Sequence, residues 1–149
     1  MEYKNIVINT QESISINDIR TIENEYKFKF PQEVVDYYLT YNGGKLERAY
    51  FTKNRNRYKL HYFYPIKYGR YTLEKKIKLT YGDSIPKWLI PIGCDEGGDS
   101  FCFSIKEGEE GGIYYVAHEF YDGKNSKRGI RLLANNLTEF INGMVAEES

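Results

Sequence analysis

Apolar residues recur at helical spacing in four segments of the chain, and each segment begins at a residue that favours a helix start. Ser15 caps the first helix, and Asp18 stands where a capping box needs an acid. Pro31 opens the second, where its missing N–H costs nothing. The predicted helices are 15–27, 31–42, 72–79 and 136–145. In the second helix the buried stripe is predicted to be Val34, Val35, Tyr38 and Leu39.

Alternating apolar and polar positions predict strands between the second and the last helix. These strands are 58–64, 88–92, 101–105 and 113–118. In 101–105 the pattern places Phe101, Phe103 and Ile105 towards a core, with Cys102 and Ser104 on the other side. Short turns connect the strands of the second half, which favours antiparallel pairing. The fold class is therefore predicted as α+β, a central, mainly antiparallel mixed sheet flanked by helices at the N- and C-termini.

Length and composition predict a small protein of ordinary type. A chain of 149 residues is expected to form a single domain, residues 1–149, since single cores are commonest at about 100–150 residues. Neither a signal peptide nor a long apolar run is visible, so a cytoplasmic location without membrane contact is expected. Cys94 and Cys102 are expected to remain free thiols.

The net charge of zero conceals an uneven distribution along the chain. The segment from Lys45 to Lys78 holds 11 basic and 2 acidic residues, a local charge of +9, which leaves −9 for the remainder. Such a chain can steer towards a charged macromolecule if the cations share one face. The alternative is that they scatter over several faces after folding.

No pattern in the sequence completes a catalytic, metal or cofactor site. The two histidines, His61 and His118, follow no metal-ligand spacing with the cysteines. Cys94 has no adjacent base, and no nucleophile elbow or phosphate-binding glycine loop occurs. The prediction is therefore no catalytic residue, no metal and no cofactor.

Nucleic-acid binding is an alternative that the basic segment suggests. Cations between Lys53 and Arg70 lie among Tyr58, Tyr62 and Tyr64, a mixture that suits phosphate contact and base stacking. Against this interpretation, the sequence pI of about 6.7 is low for a nucleic-acid binder, and no recognised reader motif is present. Nucleic acid is therefore not the expected partner.

Three segments together resemble one known family. They are Phe30-Pro31 through Asn42-Gly43-Gly44, then Ile90-Pro91-Ile92-Gly93 with Gly97-Gly98-Asp99 and Phe101-Cys102-Phe103, and finally Gly112-Ile113-Tyr114-Tyr115 with His118-Glu119 and the closing helix around Phe140. In this order they resemble the SUKH superfamily, which includes the yeast cell-wall regulators Smi and Knr and many bacterial immunity proteins. The resemblance spans residues 15–145 approximately.

The resemblance implies an α+β domain without enzymatic activity that binds and neutralises a cognate bacterial toxin domain, often a nuclease. Two alternatives stay open, a regulatory scaffold that binds host proteins and an RNA-binding module that uses the Lys45–Lys78 segment. An exposed edge strand would also allow a homodimer. The shared motif residues implied to be structural are Pro31, Gly43, Gly44, Pro91, Gly93, Gly97 and Gly98.

An inhibitor of a basic nuclease is expected to present an acidic surface, and two acidic stretches qualify. The predicted partner-binding residues are Asp95, Glu96, Asp99, Glu107, Glu109 and Glu110. If the basic side is the contact instead, the toxin is acidic. A structural interpretation competes at Gly97-Gly98-Asp99, where an aspartate that accepts bonds from local backbone N–H groups would simply hold the turn.

Overall fold

The computed structural model describes residues 3–121 and 129–147. The four predicted helices are all present in it. They are α1 (Ile16–Tyr26), α2 (Gln32–Thr40), α3 (Leu73–Thr80) and α4 (Leu137–Asn142). The Asp18 carboxylate accepts a 2.9 Å hydrogen bond from the Ser15 backbone N, so the acid of the predicted capping box is in place. Pro31 lies just before α2, and its carbonyl accepts from the N–H groups of Val34 and Val35.

Two details of the helix prediction are wrong. Leu39 is 41% exposed, and Tyr37 is buried in its place because its hydroxyl donates to the Gly43 carbonyl at 2.8 Å. The last helix ends at Asn142 rather than Val145. Val145 instead pairs with Tyr50 through two backbone hydrogen bonds, which require an extended conformation at that point.

Nine strands form three antiparallel sheets in the described part of the chain, which confirms the α+β class. They are β1 (Val7–Ile8), β2 (Lys45–Leu46), β3 (Tyr50–Lys53), β4 (Asn56–Lys59), β5 (Tyr62–Phe63), β6 (Leu89–Cys94), β7 (Ser100–Ser104), β8 (Ile113–Val116) and β9 (Ile130–Ala134). β1 pairs with β2, and β3 with β4. The remaining five form one sheet in the order β5-β6-β7-β8-β9.

The predicted strand 58–64 is wrong in one respect, because it divides between two sheets. β4 ends at Lys59 and belongs to the β3–β4 hairpin, whereas β5 starts at Tyr62 and pairs with β6. No strand was predicted at β3, so this hairpin was not expected. Its turn residues Asn54 and Arg55 both have positive φ, 51° and 67°, which is the geometry of a tight two-residue hairpin turn.

Two residues of the family motif, Pro91 and Gly93, lie at an irregularity in β6. Pro91 lies inside a central strand, where it cannot donate a ladder hydrogen bond, and the register with β7 shifts between Pro91 and Gly93. At Gly93 the strand passes so close to β5 that an added Cβ would lie 2.8 Å from the Tyr62 carbonyl oxygen. The proline therefore coincides with the irregularity, and the glycine permits the close approach of β5.

The central strands of the main sheet, β6 and β7, are buried on both faces. Phe101 and Phe103 pack into the larger core, as predicted, together with side chains of all four helices. Cys102 points the other way, into a smaller cluster with Ile85, Leu89 and Val116. The two cysteines are free, as expected, and they do not lie opposite each other in the hairpin, since Cys102 pairs in register with Pro91 while Cys94 pairs with Ser100.

The turn after α2 fixes the position of β5. The buried Asn42 side chain donates to the Ile66 carbonyl at 2.8 Å and accepts from the Ile66 N–H at 2.7 Å. Tyr38 donates to the Tyr64 carbonyl at 2.7 Å. Gly43 and Gly44 follow with positive φ, packed against the backbone of Pro65 and of Ile8. This end of the second helix thus holds residues 63–66 in place.

Candidate partner-binding site

The turn between β6 and β7, residues 95–99, holds three of the six predicted partner-binding acids. The Asp95 carboxylate accepts from the Gly97 N–H at 3.0 Å and from the Asp99 N–H at 2.9 Å through the same oxygen, Oδ1. Backbone bonds from Asp95 N to the Asp99 carbonyl and from Gly98 N to the Asp95 carbonyl close the turn. The aspartate that satisfies the local backbone groups of this turn is therefore Asp95 and not Asp99, for which the structural interpretation was made.

Tyr115 joins both aspartates of this turn from the neighbouring strand β8. Its hydroxyl lies 2.6 Å from Asp95 Oδ2 and 2.8 Å from Asp99 Oδ2, and it can donate its one proton to either. Burial and these two carboxylates raise the pKa of Tyr115, so the hydroxyl stays protonated. Asp99 also accepts from the His118 backbone N at 3.0 Å. We call residues 95–99 with Tyr115 the pinned turn.

Glu96 is the acid of the pinned turn whose side chain faces solvent. It forms an ion pair with Lys59 of β4, with Oε1 and Nζ 2.6 Å apart. The bond to Lys59 lowers the pKa of Glu96, and the same bond raises the pKa of Lys59. Because both side chains are largely exposed, the pair is screened and contributes little to stability.

The other three predicted acids lie at the far end of β7. Glu107, Glu109 and Glu110 are exposed in the loop that joins β7 to β8, where Glu109 pairs with Lys106 at 3.3 Å. The five residues of β7 separate this loop from the pinned turn, a distance of about 17 Å along an extended strand. The structure thus divides the predicted acidic contact into two separate places.

A groove of about 570 Å³ opens beside the pinned turn. Asp95, Glu96 and Gly98 form one wall of it. Its other lining residues come from the β5 region, from the loop before α3, from α3 and from the end of β6, and they are His61, Tyr62, Tyr64, Arg70, Tyr71, Thr72, Lys75, Lys76, Leu79 and Cys94. We call this space the α3 groove. Two smaller depressions adjoin it, one sharing His61 and Glu96 and the other sharing Tyr62 and Arg70.

Aromatic and aliphatic side chains give the α3 groove an apolar surface. Tyr71 is 60% exposed and Leu79 is 75% exposed, the two highest values among large hydrophobic side chains of the described residues. Tyr62 and Tyr64 pack edge to face, with ring centroids 5.6 Å apart. Burial raises the pKa of Tyr62 to about 12, and the Cys94 thiol contributes to the shift. Exposed groups of this kind are typical of contact surfaces.

Burial shifts the pKa of two groups that could take part in catalysis, the Cys94 thiol and the His118 ring. Burial raises the pKa of the Cys94 thiol, which makes it a poor nucleophile at neutral pH. His118 forms a hydrogen bond with the Ser100 hydroxyl at 2.9 Å, and burial, aided by the charge of Lys76, lowers its pKa. Within residues 3–121 and 129–147, no cluster of three or more His, Cys, Asp or Glu side chains could hold a metal ion. Helices long and apolar enough to cross a membrane are absent from the same residues.

The cations of the basic segment Lys45–Lys78 are spread over several elements of the fold. Arg70, Lys75 and Lys76 line the α3 groove, and Lys45 and Lys59 line the adjoining depressions. Other cations of the segment lie on the β3–β4 hairpin, where Arg57 covers the Tyr50 ring at 4.3 Å. The predicted tyrosine face for base stacking does not form, because Tyr58 and Tyr64 are buried and Tyr58 packs against Tyr115.

A comparison with known proteins gives a family match that contains all three motif segments. The sequence model of the SMI1 / KNR4 family (SUKH-1) matches residues 13–143. The chain belongs to the SMI1/KNR4 family. A Bacillus subtilis (strain 168) protein described as SPbeta prophage-derived uncharacterized protein YokK is 32% identical to it over 85 residues. That match covers 57% of the chain and 41% of YokK, so the chain spans about two fifths of the length of this relative.

The family motif and the candidate site meet at the pinned turn. Within the motif, Asp99 and Tyr115 are bonded to each other, and Gly98 has the positive φ of 92° that the turn needs. Gly97 has no such constraint, since an added Cβ would lie 3.5 Å from Asp95 Oδ1, an ordinary contact. In this SMI1/KNR4 protein, Asp99, Tyr115 and Gly98 therefore fix the conformation of the turn that forms the groove wall.

Four residues that line the α3 groove were not predicted as toxin contacts. Tyr71 and Leu79 were not singled out, and Arg70 and Lys75 were counted only within the basic Lys45–Lys78 segment. The three lysines within the predicted helix 72–79 were the available signal for Lys75. Leu79 was also detectable, as an apolar residue that falls outside the Leu73 and Ile77 stripe of α3. The sequence could not predict that α3 lies beside the pinned turn, because this depends on the packing of two elements that are remote in sequence.

Proposed function

We propose that this protein is a non-enzymatic immunity protein, which neutralises a cognate bacterial toxin domain by stoichiometric binding. Membership of the SMI1/KNR4 family supports the class of function. The single observation that carries the proposal is the α3 groove, an open site where Tyr71 and Leu79 are exposed beside charged side chains. A partner that covers these two side chains gains the free energy of removing their apolar surface from water.

The groove end of β7 is proposed as the principal contact. Glu96 lies there and faces outwards, whereas Asp95 and Asp99 support the wall through their internal bonds. Glu107, Glu109 and Glu110 would then take part only with a partner that extends along β7. A partner centred on the groove does not need them.

Purification of the tagged chain from its source organism, followed by mass spectrometry, tests the function. We expect one protein with a toxin domain to co-purify in a one-to-one complex. Expression of that toxin domain should arrest growth of a heterologous host, and co-expression of this chain should restore it. Recovery of cytosolic regulators without any toxin would favour the scaffold alternative, and failure to restore growth would contradict the proposal.

Two variants then show whether the toxin contacts the α3 groove or the β7–β8 loop in the complex so identified. The triple substitution Glu107→Lys/Glu109→Lys/Glu110→Lys is expected to leave the dissociation rate unchanged, because these side chains lie outside the groove. Leu79→Asp is expected to raise it, because a charge then lies at the apolar contact. The reverse result would place the contact at the β7–β8 loop.

Size-exclusion chromatography of the free chain tests the homodimer that an exposed edge strand would allow.

A further inference from the structure

The charges that line the α3 groove differ in whether they already have partners. Its two acids are engaged, Asp95 within the pinned turn and Glu96 with Lys59. Its cations Arg70, Lys75 and Lys76 form no ion pair with any carboxylate of residues 3–121 and 129–147. The groove therefore has unpaired cations on its α3 side, whereas its two carboxylates, which keep their negative charge, are bonded on the side of the pinned turn.

These cations are held near the apolar surface. The Arg70 guanidinium lies 5.5 Å from the centroid of the Tyr71 ring, and the Lys76 ammonium lies 6.0 Å from that of Tyr64. Lys75 Nζ donates to the Arg70 carbonyl at 3.4 Å, which ties the start of α3 to the loop before it. Positive charge thus borders the place where Tyr71 and Leu79 are exposed.

We propose that the α3 groove takes an acidic segment of a protein partner, with one aliphatic or aromatic side chain seated between Tyr71 and Leu79 and flanking carboxylates on Arg70, Lys75 and Lys76. The inference rests on the proposed function, because it names the chemistry of the toxin surface at the same site. Carboxylates complement the unpaired cations, and arginine can bind a carboxylate through two parallel hydrogen bonds. The apolar side chain supplies the buried anchor that such contacts need.

A protein segment fits this groove better than nucleic acid does. A strand of RNA needs stacking platforms along a continuous basic track, and here Tyr64 is buried. Asp95 and Glu96 form one wall and would repel a phosphate backbone along the whole groove. A short acidic segment can place its carboxylates on the α3 side alone.

A random peptide library displayed on phage provides a defined probe for the intact chain. We expect selected peptides to carry Asp or Glu on both sides of an apolar residue. Their affinity should fall about tenfold in the variant Arg70→Glu/Lys75→Glu, where attraction becomes repulsion. The control variant Lys29→Glu/Lys78→Glu changes the net charge equally at exposed lysines outside the groove and should keep full affinity. Thermal unfolding confirms that both variants fold.

Several outcomes would overturn the inference. These are an absence of enrichment, enrichment of basic or uncharged peptides, and equal loss of affinity in both charge variants. A fluorescent single-stranded RNA that binds more tightly than the peptides, and is lost only in Arg70→Glu/Lys75→Glu, would assign the groove to nucleic acid. If a toxin co-purifies but its complex tolerates Arg70→Glu/Lys75→Glu, the inference fails while the proposed function stands. If acidic peptides bind in the groove but the partner that co-purifies is not a toxin, the groove chemistry stands while the proposed function fails.

Discussion

Residues 95–99 at the start of β7 and residues 106–111 at its end both combine acidic side chains with glycine. In the first, Asp95 and Asp99 accept hydrogen bonds from backbone N–H groups and from the Tyr115 hydroxyl. In the second, the glutamates are exposed, and Glu109 pairs with Lys106 at its own loop. Similar contents of acid and glycine thus give an internally bonded turn at one end of β7 and a solvated loop at the other.

Side-chain length accounts for much of this difference. An aspartate carboxylate can reach the backbone N–H groups two residues further along, which closes a turn locally. The longer glutamate side chain loses more rotamer freedom when it is fixed and projects into water instead. Acidic residues near glycine therefore indicate a turn when they are aspartates, and an exposed charge when they are glutamates.

Asp95→Ala should give the largest loss of stability in either acidic stretch. The substitution removes the acceptor of three hydrogen bonds, and relief of the repulsion from Asp99 offsets only part of that loss. We expect the free energy of unfolding to fall by about 2–3 kcal/mol, as is usual for bonds to a charged group. Denaturant titration of the two proteins measures the change.

Glu110→Ala is the matched control for Asp95→Ala, because it removes an acid from the β7–β8 loop. Its side chain is exposed, so its denaturation midpoint should coincide with that of the unaltered protein. If both substitutions change the midpoint equally, the distinction between a pinned turn and a solvated loop is wrong.

Tyr115→Phe should be the next largest effect, at about 1–2 kcal/mol. The change keeps the ring that packs on Phe101, but it removes the one donor between Asp95 and Asp99 and leaves two carboxylates close together. Tyr114→Phe is the control on the same strand, since its ring packs on Trp88 on the other face of the sheet. Thermal unfolding should therefore separate the two variants, and identical curves would contradict the role of the Tyr115 hydroxyl.

The sequence predicted well the parts of this protein that depend on local patterns. Caps and apolar spacing located the helices, and the glycine and proline of the motif located the β6–β7 hairpin. The exchange of Leu39 for Tyr37 in the core followed from a tertiary hydrogen bond to Gly43, which no periodicity records. β9 was missed because Ile130–Ala134 is half exposed and lies at a sheet edge.

The candidate site was harder to predict than the fold. Counting acids identified the pinned turn and the β7–β8 loop together, and only the length of β7 shows that they are apart. The donor that holds the turn, Tyr115, is one of fifteen tyrosines in the chain. Its role depends on the β7–β8 register, which pairs it with Phe101 two residues beyond Asp99. Pairing of this kind is a property of the assembled sheet.

Gly98→Ala should have a smaller effect, about 1 kcal/mol, because an alanine at a φ of 92° is strained although nothing lies within 4 Å of the added Cβ. Gly97→Ala adds the same methyl group to the neighbouring residue without that strain and should leave stability almost unchanged. Chemical denaturation of both variants checks the pair. Equal destabilisation would show that the turn tolerates no side chain, whatever its backbone angle.

The smallest expected effect is a dependence of stability on pH that comes from the His118 ring. The backbone N–H of the same residue donates to Asp99. Burial and Lys76 lower the pKa of its ring below 6.5, while Asp99, Asp95 and a bond at Ser84 oppose the shift. As the pH falls through about 6.5 the unfolded chain binds a proton first, so the stability from neutral His118 decreases until the pH reaches the folded pKa. His118→Gln removes this titration. The free energy of unfolding of the variant, taken relative to that of the unaltered protein, should therefore rise as the pH falls from about 7.5 to 5. If urea titrations of His118→Gln and of the unaltered protein give parallel curves across that range, the His118 ring titrates alike in the folded and unfolded states and the prediction is wrong.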